Sequence, residues 1–290
     1  MTGKVGLIGT GLMGLPMAQR LIAQEIPLVA YNRTPEKLEP LRSAGAEIAD
    51  TVAEFVQKSE TIITILTNGD AIEETLLSDS VKTLLINRTV IQMGTIAPSE
   101  SRKIQESIRQ AGGDYLEAPV LGSIPEVKAG KLQVMVGATP EQFQQWQPLL
   151  QHFGKPMHIG EVGAASALKL ALNQLIGSLT TAFALSLSFL QAQGGDVDTF
   201  MKILRESALY APTFDKKLQR MLDHNYANPN FPTKHLLKDM NLFLQEAAAS
   251  GLRADNLEGV RQILETACAT ELADEDYSAL VEAVRGELDK

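Results

Sequence analysis

Residues Gly9-Thr10-Gly11-Leu12-Met13-Gly14 follow the apolar run Val5 to Ile8 and lead directly into a helical pattern. A strand that ends on glycines and turns at once into a helix brings bare backbone N–H groups and the positive helix end onto an anion. That order constrains the chain to an α/β fold able to hold a pyrophosphate. Gly9 permits the tight turn, Gly11 lets phosphates approach, and Gly14 lets helix and strand pack closely, with Thr10, Leu12 and Met13 completing the turn. The second strand, ending at Tyr31, should reach the adenosine ribose, where an acidic side chain would accept the 2′-hydroxyl of NAD. This chain has Asn32, Arg33 and Thr34 there. A guanidinium paired with a hydroxyl suits a 2′-phosphate, so the expected cofactor is NADPH/NADP+. A solvated arginine in a turn is the plainer alternative.

Bulk properties narrow the classes. At 290 residues the chain suits two domains better than one core. Hydrophobic content of 44% and charged content of 21% are those of an ordinary globular protein. A net charge of −9 argues against nucleic acid or an anionic membrane as a partner, since either would want a basic surface. The single cysteine, Cys268, excludes an internal disulfide and fits a reducing compartment. The start, Met1-Thr2-Gly3-Lys4, is expected to run straight into the first strand without a signal peptide, so the expected location is cytoplasmic.

Between Lys169 and Asp196 no charged residue occurs, and the run is long enough to cross a bilayer. Asn173, Gln174, Ser178, Thr180, Thr181, Ser186, Ser188, Gln191 and Gln193 recur through it, which makes it too polar for lipid and points to a helix surrounded by protein. A helix covered on most sides in a chain of this size is expected to pack against a second subunit. A homodimer or homotetramer is therefore expected, with no membrane partner.

Up to about residue 160 short β-rich runs alternate with helical ones. The expected strands are Val5 to Ile8, Pro27 to Tyr31, Thr61 to Leu66, Thr89 to Gln92, Tyr115 to Glu117, Leu132 to Val136 and Met157 to Ile159. Helical segments lie between most of them, at Met13 to Gln24, Thr51 to Lys58, Ala71 to Leu77, Ser99 to Ala111 and Glu141 to His152. Such alternation predicts a mostly parallel sheet with helices on both faces and a ligand at the carboxyl ends of the strands. From Gly163 onward only helices are expected: Ala164 to Gln193, Val197 to Ser207, Phe214 to His224, Thr233 to Ser250, Asn256 to Ala269 and Glu275 to Leu288. The fold class is thus an N-terminal Rossmann-type doubly wound α/β sheet over 1–162 followed by an all-helical domain over 163–290. The expected site is the cleft between the domains.

Four blocks in this layout resemble the β-hydroxyacid dehydrogenase family: Gly-Leu-Ile-Gly-Thr-Gly-Leu-Met-Gly (6 to 14), Glu-Ala-Pro-Val-Leu-Gly-Ser (117 to 123), Gly163 through Lys169 to Asn173, and Lys238-Asp239. The likeness spans nearly the whole chain. Asn32-Arg33-Thr34 together with Phe231 and Lys238-Asp239 looks most like the glyoxylate and succinic semialdehyde reductase branch, including γ-hydroxybutyrate dehydrogenases of that type.

The resemblance makes Lys169 the catalytic group, and the chemistry agrees. As hydride reaches an aldehyde carbon, negative charge gathers on the carbonyl oxygen, which an adjacent ammonium stabilises and protonates. Asn173, four residues on, shares its helix face and can hydrogen-bond the lysine or the substrate oxygen. The resemblance also makes the 117–123 block the substrate cradle, with Leu121, Gly122 and Ser123 in contact. Here the chain departs from the usual Asp-Ala-Pro-Val-Ser-Gly-Gly: Leu121 removes a hydroxyl and Ser123 adds a side chain. Thr95 falls where the family holds the nicotinamide ribose and substrate. Leu66 and Asn68 are expected to line the cofactor groove through their backbone. Phe231 either covers the nicotinamide or narrows the pocket, or else packs within its domain; Lys238 would reach the cofactor, and Asp239 would hold the substrate end.

The reaction these parts imply is NADPH-dependent reduction of a small aldehyde acid, succinic semialdehyde or glyoxylate, to the hydroxy acid. A 3-hydroxyisobutyrate or tartronate semialdehyde type dehydrogenase stays open, as does a non-catalytic NADP-binding scaffold. His152, His158, His224 and His235 form no metal-ligand spacing, so no metal is expected. Cys268 has no histidine nearby in sequence to activate it.

Overall fold

The computed structural model describes residues 3–286. The chain divides into two compact units, with the division between Lys169 and Leu170. That point lies seven residues beyond the 162/163 boundary drawn from the sequence. It falls inside the helix Ala164–Ala192, whose first turn is tied to the sheet of the first unit.

In the first unit nine strands form one sheet: β1 Val5–Ile8, β2 Leu28–Tyr31, β3 Glu47–Ile48, β4 Thr61–Thr64, β5 Thr89–Gln92, β6 Asp114–Glu117, β7 Val120–Leu121, β8 Leu132–Gly137 and β9 Gly154–Gly160. Their order is β3-β2-β1-β4-β5-β6-β8-β7, with β9 on β8. Strands β1 to β6 pair in parallel, whereas β8 runs antiparallel to β6 and β7. The order 3-2-1-4-5-6 is that of the doubly wound dinucleotide fold, with its switch point between β1 and β4. Alternation along the strands separates two cores. Val5, Leu7, Ala30, Ile63, Ile91 and Leu116 belong to one face, and Ile8, Val29, Ile62, Val90 and Tyr115 to the other. Both faces being covered, these strands read as apolar runs rather than as clean alternation.

β3 and β7 were not expected; two residues each is too short for a period to show. The short helices Glu39–Ser43, Asp79–Lys82 and Ile124–Ala129 were missed for the same reason.

The second unit is helical. After the long helix come Val197–Glu206, Pro212–Leu222, Thr233–Ala249, Asp255–Cys268 and Leu280–Arg285. Asp196 starts the first of these by accepting the Thr199 N–H at 2.7 Å. The helix expected over 275–288 is replaced by one short 3-10 turn, Tyr277–Ala279, and a helix confined to Leu280–Arg285, and residues 287 and 288 lie outside the described residues. Asp276 breaks it. Its carboxylate accepts the Ser278 N–H and the Lys217 ammonium, and its backbone bridges to Pro232, so the chain there is extended. Lys217 is buried against this partner and stands 4.1 Å over the Tyr277 ring; burial pushes the lysine pKa down and the Tyr277 phenol up to about 12.

The long helix also corrects one expectation. By length and composition it is apolar enough to cross a bilayer, so the polar residues along it do not exclude a membrane by themselves. What marks it as a protein helix is where those residues are. Asn173, Thr180 and Thr181 are buried, and Phe183, Ala184 and Leu187 belong to the core of the helical unit.

Candidate functional site

The glycine turn has the geometry a dinucleotide needs. Gly9 has φ +98°, and a Cβ there would lie 2.3 Å from the Ile65 carbonyl oxygen. A Cβ on Gly14 would fall 1.8 Å from the Gly9 carbonyl oxygen, so both positions are closed to any side chain by backbone. Gly11 is different: nothing stands within 4 Å of a Cβ built there. Its open side is where a ligand can come against the chain. The helix Gly14–Ala23 that follows has no side-chain cap and no acidic residue in its first turn, leaving its positive end for an anion. The residues present therefore fit a pyrophosphate.

Asn32 ties the two cofactor segments together. Its Oδ1 accepts the Thr10 N–H at 3.1 Å and its Nδ2 donates to the Thr34 carbonyl at 3.0 Å. With the amide so used, Arg33 and Thr34 are left exposed at the end of β2. Leu12 is also exposed and Met13 half-buried, on the outer side of the turn.

At the ends of β4 and β5 the strands stop two residues earlier than expected for β4, at Thr64, so Leu66 lies in the loop beyond. Asn68 has a structural task of its own, capping the helix Gly69–Leu76 by accepting the Ala71 N–H at 3.0 Å. Thr95 is half-buried between β5 and the helix Pro98–Gln110. Gly94, just before it, packs against Leu66: a Cβ there would stand 2.7 Å from the Leu66 carbonyl oxygen.

Sequence reasoning missed a polar row. Thr64, Gln92 and Glu117 are register partners at the last position of β4, β5 and β6, on a face whose other residues are apolar, and all three are buried. Thr64 Oγ1 and both amide atoms of Gln92 have no hydrogen-bond partner. The available signal was polar residues closing apolar strands at the carboxyl edge.

The 117–123 block is organised differently from the expected cradle. Glu117 accepts N–H groups of Gly163, Ala165 and Ser166 at 2.8, 2.9 and 3.0 Å. Gly122 has φ +132°, a conformation that residues with a side chain rarely adopt. Ser123 caps the helix Ile124–Ala129, and both its N–H and its hydroxyl donate to the Glu126 carboxylate, at 2.8 and 2.6 Å. The Ser123 N–H is thus committed and is not one of a set converging on an anion. Leu121 pairs with Gln133 in β8 and is half-buried.

Lys169 and Asn173 lie one turn apart on the long helix, and both are buried, at 9% and 1% exposure. Asn173 Nδ2 donates to Asp239 Oδ2 at 2.6 Å, a carboxylate that is itself buried and has the Lys238 ammonium 3.0 Å from its other oxygen. Because a carboxylate only accepts, the amide must present its nitrogen to Asp239. The Asn173 Oδ1 is buried with no hydrogen-bond partner, so that oxygen is left to accept from a donor on its other side. His235, one turn before Asp239, has its pKa lowered, first by burial and then by Lys238. Phe231 packs within the helical unit, edge-on to Tyr277 at 5.7 Å.

Comparisons with known proteins bear on the family and the fold. The family model described as the NAD binding domain of 6-phosphogluconate dehydrogenase matches residues 4–182, and that of NAD-binding of NADP-dependent 3-hydroxyisobutyrate dehydrogenase matches residues 163–284. The chain is 29% identical to glyoxylate/succinic semialdehyde reductase 1 of Arabidopsis thaliana, over 97% of this chain and 98% of that one. It is 30% identical to 2-hydroxy-3-oxopropionate reductase of Escherichia coli, over 97% of each. In fold it is similar to Mycobacterium tuberculosis 3-hydroxyisobutyrate dehydrogenase, with a TM-score of 0.89 at 21% identity, covering 98% of this chain and 100% of that one. With glycine turn, strand order and both family models in agreement, the chain belongs to the β-hydroxyacid dehydrogenase family of NAD(P)-dependent oxidoreductases.

Proposed function

We propose that the chain is an NADPH-dependent reductase of short aldehyde acids, with succinic semialdehyde and glyoxylate as the first substrates to assay. The observation that carries the reading is the Asn173–Asp239 pair one turn beyond the buried Lys169. When bound, the reduced nicotinamide supplies a hydride. Lys169 Nζ stabilises the negative charge that develops on the carbonyl oxygen and donates its proton there. Asn173, its nitrogen held by Asp239 and its buried amide oxygen left unpaired, accepts from the lysine ammonium or from the alcohol formed. Arg33 and Thr34, exposed beside Asn32, supply the donors for a 2′-phosphate and hence the preference for NADPH. Thr95, Leu121, Gly122 and Ser123, together with Phe231, Lys238 and Asp239, are the remaining residues assigned to substrate and cofactor.

A second reading, reduction of 2-hydroxy-3-oxopropionate, is favoured by the E. coli relative at 30% identity. The commitment of the Ser123 N–H to Glu126 bears on both, because neither substrate carboxylate can draw on that donor. A panel of C2 to C4 semialdehydes with NADPH and with NADH separates the readings. Turnover of succinic semialdehyde or glyoxylate with NADPH is expected; NADPH binding without turnover of any member would make the chain a scaffold.

The same proposal includes a homodimer or homotetramer in the cytoplasm. Leu175, Leu185 and Phe189 on the long helix and Ile203 on the next are exposed at 49, 60, 67 and 64%, and Leu185, Phe189, Leu190 and Phe200 line an apolar hollow. A patch of this kind is characteristic of a subunit contact. Light scattering on the purified protein is expected to give a multiple of 31.4 kDa, and a monomer would contradict it.

A further inference from the structure

We propose that Glu117 is the positioning residue of Lys169, an inference that rests on the reading of Lys169 as proton donor. Glu117 is the last residue of β6 and has no exposed surface. Its Oε1 accepts the backbone N–H groups of Gly163, Ala165 and Ser166. Its Oε2 accepts the hydroxyls of Ser166, at 2.6 Å, and Ser101. Since Ser101 gives its proton to the carboxylate, the Tyr115 hydroxyl, 2.8 Å from Ser101 Oγ, must be the donor in that pair. Burial pushes the Tyr115 phenol up, which keeps that proton in place.

The N–H groups held by Glu117 are those of Gly163, just before the helix Ala164–Ala192, and of Ala165 and Ser166 in its first turn. In an α-helix the N–H of residue 169 closes on the carbonyl of residue 165, so whatever fixes the 165 peptide fixes the turn from which Lys169 projects, about 6 Å further along the axis. An ordinary cap would come from the residue just before the helix, and would tie the helix only to itself. Gly163 stands at that position without a side chain to do so, and its φ of +102° is one that other residues rarely adopt. The cap comes instead from a strand 46 residues away, so the rotation and height of the helix are set by the sheet. Room for it is made on β8, where a Cβ on Gly137 would stand 2.4 Å from Glu117 Oε1. Burying a carboxylate is a costly way to end a helix when Ser or Asp would serve, and what the costly version adds is a fixed distance between the strand and Lys169. Displacing a reacting group by about 1 Å can lower the rate about a hundredfold.

The test is Glu117→Gln, which keeps the shape but presents an amide nitrogen where an acceptor is needed, made alone and in a Lys169→Ala background. Steady-state kcat is measured at saturating NADPH and succinic semialdehyde, beside the NADPH Kd from fluorescence titration. In E117Q, kcat is expected to fall about ten- to a hundredfold while the Kd stays within about threefold, since the nucleotide turn is on β1. In the Lys169→Ala background E117Q should cause no further loss, because the residue acts through Lys169. A folded E117Q with kcat within about twofold of wild type overturns the proposal, as does an equal fold-loss in both backgrounds. Should E117Q fail to fold, Ser166→Ala and Ser101→Ala each remove one hydroxyl from the carboxylate; a lowered kcat at unchanged Kd in these supports the proposal, and unchanged kcat in both overturns it. Near-normal turnover by Lys169→Ala alone would defeat the catalytic reading itself, a result distinct from a dead Lys169→Ala beside a normal E117Q.

Discussion

Two helices in this chain begin against the sheet of the first unit, and they begin in opposite ways. Gly14–Ala23 starts on glycines with no side-chain cap, while the long helix from Ala164 starts under a buried carboxylate that takes two of its N–H groups and that of Gly163 before it. A bare N-terminus keeps partial positive charge for a ligand; a filled one has spent that charge on holding the helix in place. The two ends therefore divide the labour, one binding an anion and the other setting the position of a side chain five residues on from Ala164. Local caps elsewhere, such as Asn68 on the Gly69–Leu76 helix, do neither and serve only their own helix.

The sharpest way to break this contrast is to close the bare end. Gly14→Ala forces its Cβ into the Gly9 carbonyl, and is expected to cost about 1–3 kcal/mol of stability and to weaken NADPH about tenfold or more, measured by thermal melts and fluorescence titration. Gly11→Ala should separate the two effects, because nothing surrounds that position: the melting temperature should hold and only NADPH affinity fall. Equal losses in both measurements would show that the turn is merely structural. Next in size, Arg33→Ala should raise the KM for NADPH about ten- to a hundredfold, as loss of a charge-assisted pair does, with the KM for NADH unchanged. An equal rise for both coenzymes would remove Arg33 from the 2′-phosphate.

Leu121→Ser restores a hydroxyl to the loop after β6 and is expected to shift the ratio of kcat/KM between C2 and C4 semialdehydes by a few-fold, about 1 kcal/mol; an unmoved ratio would mean that this loop is not the selector. The smallest effect is one of pH. Burial and Lys238 depress the His235 pKa from its ordinary 6.5. The unfolded chain then takes up a proton that the native state refuses, so the stability this residue permits is full above about pH 6.5 and declines below it. Lys234, Lys238, Asp239 and Asp274 are the charges that act on the ring. Melting temperatures of wild type and His235→Gln, compared from about pH 7.5 down to 5.5, should diverge, with wild type falling further; parallel curves would contradict the assignment.

The parts of this molecule that follow local rules were legible in the sequence. Val5–Ile8 running into Gly9, the parallel strands β4 and β5, and the helix starts at Asp196 and Thr51 all declare themselves within a few residues. Glu117 did not, because its partners lie 46 to 49 residues later; in the sequence it reads as one more residue of a strand and loop. Asn173 and Asp239 are 66 apart; each was singled out by itself, and no local pattern showed that they pair. The helix expected at 275–288 failed because Asp276 is drawn out of it by Lys217, a contact across 59 residues that no local pattern shows.

The central claim is that Lys169 gives its proton to the oxygen of the carbonyl being reduced. Lys169→Ala, assayed with NADPH and succinic semialdehyde beside an NADPH titration, tests it most directly. The expected result is a kcat lower by about a hundredfold or more with NADPH affinity retained, and turnover close to that of the wild type would contradict it.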